Sequence, residues 1–422
     1  MVEIRKPISI SDAVRRVMNF TRQGEVVVIP ISKAYGHFLA EDVVATHNVP
    51  PFDRSPYDGY AIRAEDSREA NINNPIVFEV IDVIGAGYVS NKEVGSNQAV
   101  RIMTGAQLPK GCNAVVMLEL TKEFEQEQKK YFSINRSFLP GDNISLEGED
   151  TKVGTVLVKK GTKINPGVQA LLATFGYSEV KVAKKPMIGV FATGTELLNV
   201  NEPLQPGKIR NSNSYMVCAQ IERSGAEAAY YGILPDNFEV SYNSLLDALD
   251  RVDILITTGG VSVGDYDYLP DIYKKLGANV LFNKVAMRPG SVTTVAEWNG
   301  KLLFGLSGNP SACYVGFELF ARPAVRTLLF SQEPHLNKAQ AILQADYPKP
   351  NPFTRLVRST VTIQDGHLVV KPSGFDKSNA VSSLANANAL MVLPGGTRGY
   401  EKGMKVNVLL LEDDVGCEWP WS

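Results

Sequence analysis

Between residues 187 and 329 the chain alternates short apolar runs with segments of helical period. The runs 187–192, 226–234, 253–258, 280–286, 292–296 and 302–306 are of strand length. Between and after them the spacing predicts helices over 214–223, 238–249, 269–276 and 311–329. A strand that returns through a helix to a parallel neighbour allows few topologies, because such crossovers are right-handed. This stretch therefore predicts a doubly wound, mostly parallel sheet with helices on both faces.

The rest of the chain reads differently. At 422 residues, two to four domains of about 100–200 residues are expected. Lys184-Lys185-Pro186 marks one boundary. Residues 49–139 form a β-rich insert, with runs at 76–84, 99–103 and 114–118 separated by Gly, Pro and Asn. Its charged stretch 123–130 reads as a solvated hairpin tip. Residues 1–48 and 140–180 together form an N-terminal linker domain, with helices expected over 9–23 and 167–175 and a strand over 25–31. The α/β domain spans 181–330. In 331–422 the runs 356–363, 368–371, 389–392 and 405–411 are broken by Asp365-Gly366 and Gly395-Gly396, which predicts a small β-barrel or sandwich.

Composition excludes several functions. Hydrophobic residues at 44% and charged residues at 21% are ordinary for a globular chain, and a net charge of -2 gives no reason to expect nucleic acid. No run approaches the about 18 apolar residues of a membrane span, and no secretory leader is expected. The cysteines, Cys112, Cys218, Cys313 and Cys417, form no CxxC pair, which fits a reducing cytoplasm. His37, His47, His335 and His367 form no metal or hydrolase pattern. Any catalysis therefore rests on carboxylates, lysines and backbone groups.

Three loops at expected strand ends are rich in small residues: Thr193-Gly194-Thr195-Glu196, Thr257-Thr258-Gly259-Gly260-Val261-Ser262-Val263-Gly264 and Ser307-Gly308-Asn309-Pro310-Ser311. Ligands of open α/β sheets bind beyond the carboxyl ends of the strands, and glycine lets backbone N–H groups approach an anion. None is a Walker A loop or a GxGxxG fingerprint, and three tight turns are the alternative. Glu196, Asp236, Asp265 and Asp267 crowd the same loops. Carboxylates around an anion require a cation, and magnesium shared with substrate phosphates resolves the conflict. Asp236 and Asp265 also suit helix caps. Lys284 and Arg288, just before Pro289-Gly290, offer charge to an oxyanion.

The most distinctive string is Pro50-Pro51-Phe52-Asp53-Arg54-Ser55-Pro56-Tyr57-Asp58-Gly59-Tyr60-Ala61. By local physics Asp58-Gly59 is an ordinary hairpin turn. The string resembles the FDNSxMDGYA signature of the molybdopterin molybdenumtransferases, the MoeA and gephyrin E-domain family. Arg101-Ile102-Met103-Thr104-Gly105-Ala106, Gly148-Glu149-Asp150, Gly194-Thr195-Glu196-Leu197, Gly259-Gly260-Val261-Ser262-Val263-Gly264 and Gly308-Asn309-Pro310 match as well, in family order.

The resemblance implies an elongated, four-domain homodimer that inserts molybdenum from molybdate into adenylylated molybdopterin and releases AMP. It carries over Asp58, Thr104, Asp150, Glu196, Asp236 and Asp267 as catalytic residues, with Glu196, Asp236 and Asp267 on magnesium. Substrate binding falls on Gly194, Thr195, Gly259, Gly260, Ser262, Gly264, Lys284, Arg288, Ser307, Gly308, Asn309 and Pro310. A molybdopterin adenylyltransferase is an expected partner. Such an adenylyltransferase, or a gephyrin-like scaffold, is the alternative identity. The match has departures: the family's Met before DGYA is Tyr57 here, its LPGNP loop reads Leu306-Ser307-Gly308-Asn309-Pro310, and its KPGKP segment reads Arg288-Pro289-Gly290-Ser291-Val292, so that a lysine is lost at Ser291.

Overall fold

The computed structural model describes residues 6–261, 268–349 and 352–411. They form two compact units. One comprises Met1–Glu41, Lys160–Pro166 and Glu179–Ser422, and the other Asp42–Lys159 and Gly167–Ser178.

The first unit is built on a six-stranded sheet. Its strands are Met187–Thr193 (β1), Glu227–Leu234 (β2), Ile254–Thr258 (β3), Asn279–Phe282 (β4), Thr294–Trp298 (β5) and Lys301–Leu306 (β6). Their order is β2-β1-β3-β6-β5-β4. The first four run parallel, and β5 and β4 join antiparallel. The expected sheet is therefore present, with an antiparallel edge. The strands expected over 280–286 and 292–296 pair only over Asn279–Phe282 and Thr294–Trp298. The segment between them holds Pro289-Gly290, and proline cannot donate to a ladder.

The central strands are apolar at nearly every position because both faces are covered. Val190, Ile256 and Phe304 face one core, with Val217 and Ile221 of helix α1 (Asn213–Ser224). Phe191, Leu255 and Leu303 face the other, with Leu245 and Leu249 of α2 (Phe238–Leu249) and Ile272 and Tyr273 of α3 (Leu269–Leu276).

The single helix expected over 311–329 is instead α-helical over Pro310–Gly316, π-helical over Phe317–Ala321 and α-helical again over Arg322–Leu328. Pro323 has no N–H for the carbonyl of Leu319, and the widened turn sits immediately before it. This turn buries Glu318 completely. Its carboxylate accepts from Gln220 Nε2 at 2.6 Å and from Arg223 Nη2, with Arg322 Nε at 3.7 Å.

The helix expected over 9–23 covers only Ile10–Met18. Gly24 then lies against Leu328, donating its N–H to the carbonyl at 3.0 Å, and the chain must leave the helix to reach it. Val26–Pro30 pairs with Glu179–Ala183. The strands Asn337–Leu343 (β7), Thr354–Gln364 (β8), His367–Pro372 (β9), Ala389–Leu393 (β10) and Lys405–Leu410 (β11) close into a barrel, β8-β9-β7-β11-β10 and back to β8. A barrel rather than a sandwich thus follows the α/β domain. Asp365-Gly366, with φ of 48° and 76°, is its tight β8–β9 turn.

The second unit holds a sheet ordered Ala114–Met117, Gly59–Ile62, Gln98–Ile102, Ile76–Ile84, Lys129–Ile134, Lys122–Gln126. Tyr60, Phe78 and Phe132 stack in its core, with ring centroids 3.9 and 5.3 Å apart. Lys122–Gln126 is exposed throughout, as a solvated hairpin should be. The helix expected over 167–175 covers Pro166–Thr174.

Replacing Glu318 by Ala leaves the largely buried Arg322 without its carboxylate. Breaking a buried pair this way costs about 3–5 kcal/mol. Glu318→Ala should therefore lower the midpoint of thermal unfolding by several degrees, read by circular dichroism.

Candidate functional site

The four parallel strands end on one side of the sheet, and the chain passes from β1 to β2 on one flank and then crosses back over β1 to β3 on the other. Ligands bind at such a reversal. The loops after β1, β2, β3 and β6 line a cleft of about 630 Å³ there. It brings together Gly194, Thr195, Glu196, Asp236, Gly259, Gly260, Ser307, Gly308 and Asn309. Ser262, Gly264, Asp265 and Asp267 lie outside the described residues.

The glycines are needed sterically. Gly259 adopts φ 97°, and a Cβ there would sit 2.6 Å from Thr193 Oγ1. Its N–H donates to Leu306 O at 2.8 Å, which joins the second loop to the end of β6, and a Cβ on Gly308 would be at ordinary van der Waals distance, 3.7 Å, from the Gly259 Cα. Glu196 folds its carboxylate back over Gly194. Asp236 is not a cap: Asn237 caps α2, its side chain accepting from Val240 N at 3.0 Å.

Among the described residues no group of three or more His, Cys, Asp or Glu is arranged to hold a metal ion. Glu196 and Asp236 are nonetheless hard oxygen donors on one cleft. That set suits magnesium, which is bound by one or two carboxylates plus substrate phosphates.

A second cavity, of about 790 Å³, shares Val292, Ser307 and Asn309 with the first. Its other walls carry Arg288 and Ser291 from the α/β domain, and Lys349, Arg355, Arg358 and Lys377 from the barrel. Against these cations stands Asp376, with Lys349 Nζ at 3.3 Å, Arg355 Nη1 at 3.5 Å and Arg358 Nη2 at 3.7 Å. Arg358 is 2% exposed, and burial pulls its guanidinium below the usual range. Its Nε donates to Ser383 Oγ at 2.9 Å, while Nη1 has no partner among the described residues. Lys284 and Pro310 line neither cavity.

In the other unit, Asp58-Gly59 is not a hairpin turn. Gly59 begins a central strand paired on both sides, and a Cβ there would sit 2.1 Å from Val116 O. Thr104 donates its backbone N–H at 2.7 Å and its hydroxyl at 2.8 Å to Asp58 Oδ1. These two bonds hold the carboxyl below its usual range. Asp150 belongs to the same unit, its N–H donating to Val49 O at 3.1 Å. The basic residues of the barrel were missed by sequence reasoning. Arg355 and Arg358 sit in β8, and an arginine in a strand ordinarily reads as surface.

Comparison with known proteins is decisive. Residues 8–176 match the MoeA N-terminal region (domain I and II), 189–327 a probable molybdopterin binding domain, and 340–411 the MoeA C-terminal region (domain IV). The chain belongs to the MoeA family. A molybdopterin molybdenumtransferase of Bacillus subtilis is 60% identical over all of this chain and 98% of its own. One from Staphylococcus aureus (strain Mu50) is 52% identical over 99% of each. The MoeA fold is also seen in a molybdopterin biosynthesis MoeA protein from Pyrococcus horikoshii, at TM-score 0.81 and 32% identity, covering 96% of this chain and 100% of that one.

The Asp58 geometry is testable by itself. Thr104→Val removes the hydroxyl bond and keeps the N–H, so the carboxyl pKa should rise toward the ordinary value, read by carbon NMR. Because the folded value is depressed, the stabilisation is present above the ordinary carboxyl range and lost as pH falls through the depressed value. The variant should lose part of that dependence.

Proposed function

We propose that this chain is a transferase that moves molybdenum from molybdate into adenylylated molybdopterin, releasing AMP and forming the molybdenum cofactor. The observation that carries this reading is the meeting of the two cavities at Ser307 and Asn309. One is glycine-lined with carboxylates, suited to a phosphorylated ligand. The other is cationic, suited to an oxyanion. A reaction between the two kinds of group needs them side by side.

The backbone of Gly194, Thr195, Gly259, Gly260, Ser307, Gly308 and Asn309, with Ser262 and Gly264, receives the pterin phosphate and AMP. Glu196, Asp236 and Asp267 would hold magnesium, which when bound neutralises charge developing on the phosphoanhydride. Arg288, Lys349, Arg355 and Arg358 attract molybdate and displace its water. Asp376 orients Lys349, Arg355 and Arg358. Lys284 and Pro310 line neither cavity but, with Asp58, Thr104 and Asp150, serve the same reaction. The chain acts as a four-domain homodimer in the cytoplasm, and a molybdopterin adenylyltransferase supplies its substrate. Identity to itself being that adenylyltransferase is disfavoured, because the family match extends over both flanks of the α/β domain.

The test is AMP release from adenylylated molybdopterin on adding molybdate, without consumption of ATP. Asp236→Asn should slow it about a hundredfold, on the order of 3 kcal/mol of lost charge stabilisation. No AMP from the wild-type chain would refute the reading.

Ser291 supplies a second test. A lysine there adds a charge worth up to about 4 kcal/mol at 4 Å and an effective dielectric of about 20, before screening. Ser291→Lys should tighten molybdate binding at least about tenfold by calorimetric titration. Equal or weaker binding would place position 291 away from the bound oxyanion.

A further inference from the structure

Asn213 is the first residue of α1 and is only 9% exposed. Its Nδ2 donates to the carbonyl of Gly308 at 2.8 Å. Its Oδ1 is buried and has no partner among the described residues. A buried amide with an unmet acceptor is costly, so the one bond it makes must repay the site. The surrounding turn is fixed independently. Asn211 Nδ2 donates to Tyr230 Oη at 2.8 Å and to Ser214 Oγ at 3.1 Å, and Asn211 Oδ1 accepts from Ser214 N at 3.2 Å. Asn213 is therefore not required to start the helix.

What the bond does follows from peptide planarity. The carbonyl of Gly308 and the N–H of Asn309 belong to one rigid plane and point opposite ways. Holding the carbonyl on the α1 side turns the N–H to the Ser307 side, where it donates to Ser307 Oγ at 3.3 Å. Ser307 and Asn309 line both cavities. A flipped plane would set a carbonyl oxygen against the Ser307 hydroxyl, which would then donate to it rather than to a ligand.

We propose that Asn213 is a positioning residue that locks the 308–309 peptide, so that the Asn309 N–H holds Ser307 Oγ and leaves the Ser307 hydroxyl proton to donate to an anionic oxygen of the substrate. This rests on the reading above, in which the cleft receives phosphate. The wild-type chain is the control for that reading: if it neither binds AMP nor releases it, the function fails first.

Given wild-type activity, Asn213→Ala should weaken AMP binding about tenfold in calorimetric titration, the size of one hydrogen bond to a charged group. It should raise KM by a similar factor and leave kcat within about twofold. Asn213→Asp keeps the shape and loses the donor, so at neutral pH it should match or exceed the alanine defect. As pH falls its protonated carboxyl donates again, and affinity should recover relative to wild type at the same pH. Asn213→Ser, smaller and still a donor, should fall between. The melting temperature of each variant is measured alongside, and a loss of folding in Asn213→Asp leaves the alanine and serine pair to decide. Wild-type affinity in Asn213→Ala, or a lowered melting temperature with unchanged affinity and KM, overturns the proposal.

Discussion

The parallel pairing of β3 with β6 is the interaction on which the rest of the cleft depends. It sets Thr258 opposite Leu306, so that the loops that follow the two strands emerge at the same height. The register in turn depends on both faces of the sheet being buried, since a slip by one residue would exchange Phe304 with Leu303 between two cores of different shape. The apolar interior thus sets the position of polar backbone groups several ångströms above it.

The electrostatic design separates two problems. Glu196 and Asp236 place negative charge on the glycine-lined cleft. The fixed positive charge of the neighbouring cavity lies mainly on the barrel, on Lys349, Arg355, Arg358 and Lys377. Burying Arg358 is costly without partners. Ser383, Asp376 and the carbonyls of Phe375 and Lys377 reduce that cost. The short strand Met287–Arg288, paired with the start of β8, ties Arg288 to the same group of cations.

Sequence made the alternation of β1, β3 and β6 legible because strands buried on both faces are apolar at every position. It also marked the three glycine loops and both carboxylates of the cleft. It missed the π-helical turn, since a helix pattern that tolerates Pro323 looks continuous until the chain is seen to widen. It missed Arg358, because the burial of an arginine in a strand is decided by a barrel closing around it and not by its neighbours in the chain. Asp58-Gly59 read locally as a turn for a similar reason. The glycine is required by a partner strand more than 50 residues away, at Val116.

The way the second unit interrupts the first has a consequence for biosynthesis. The ribosome has made all of the second unit once Ser178 has emerged, while the first has only its opening 41 residues and a seven-residue piece. Domains fold as units during synthesis, the earlier ones first. The second unit can therefore close while Val26–Pro30 still waits for its partner strand Glu179–Ala183, the next segment to appear. The β-rich unit is a finished body before the parallel sheet, with its slow long-range pairings, begins to assemble. A nascent chain stalled near residue 180 would carry one folded unit and one unsatisfied strand, a species that a chaperone must shield.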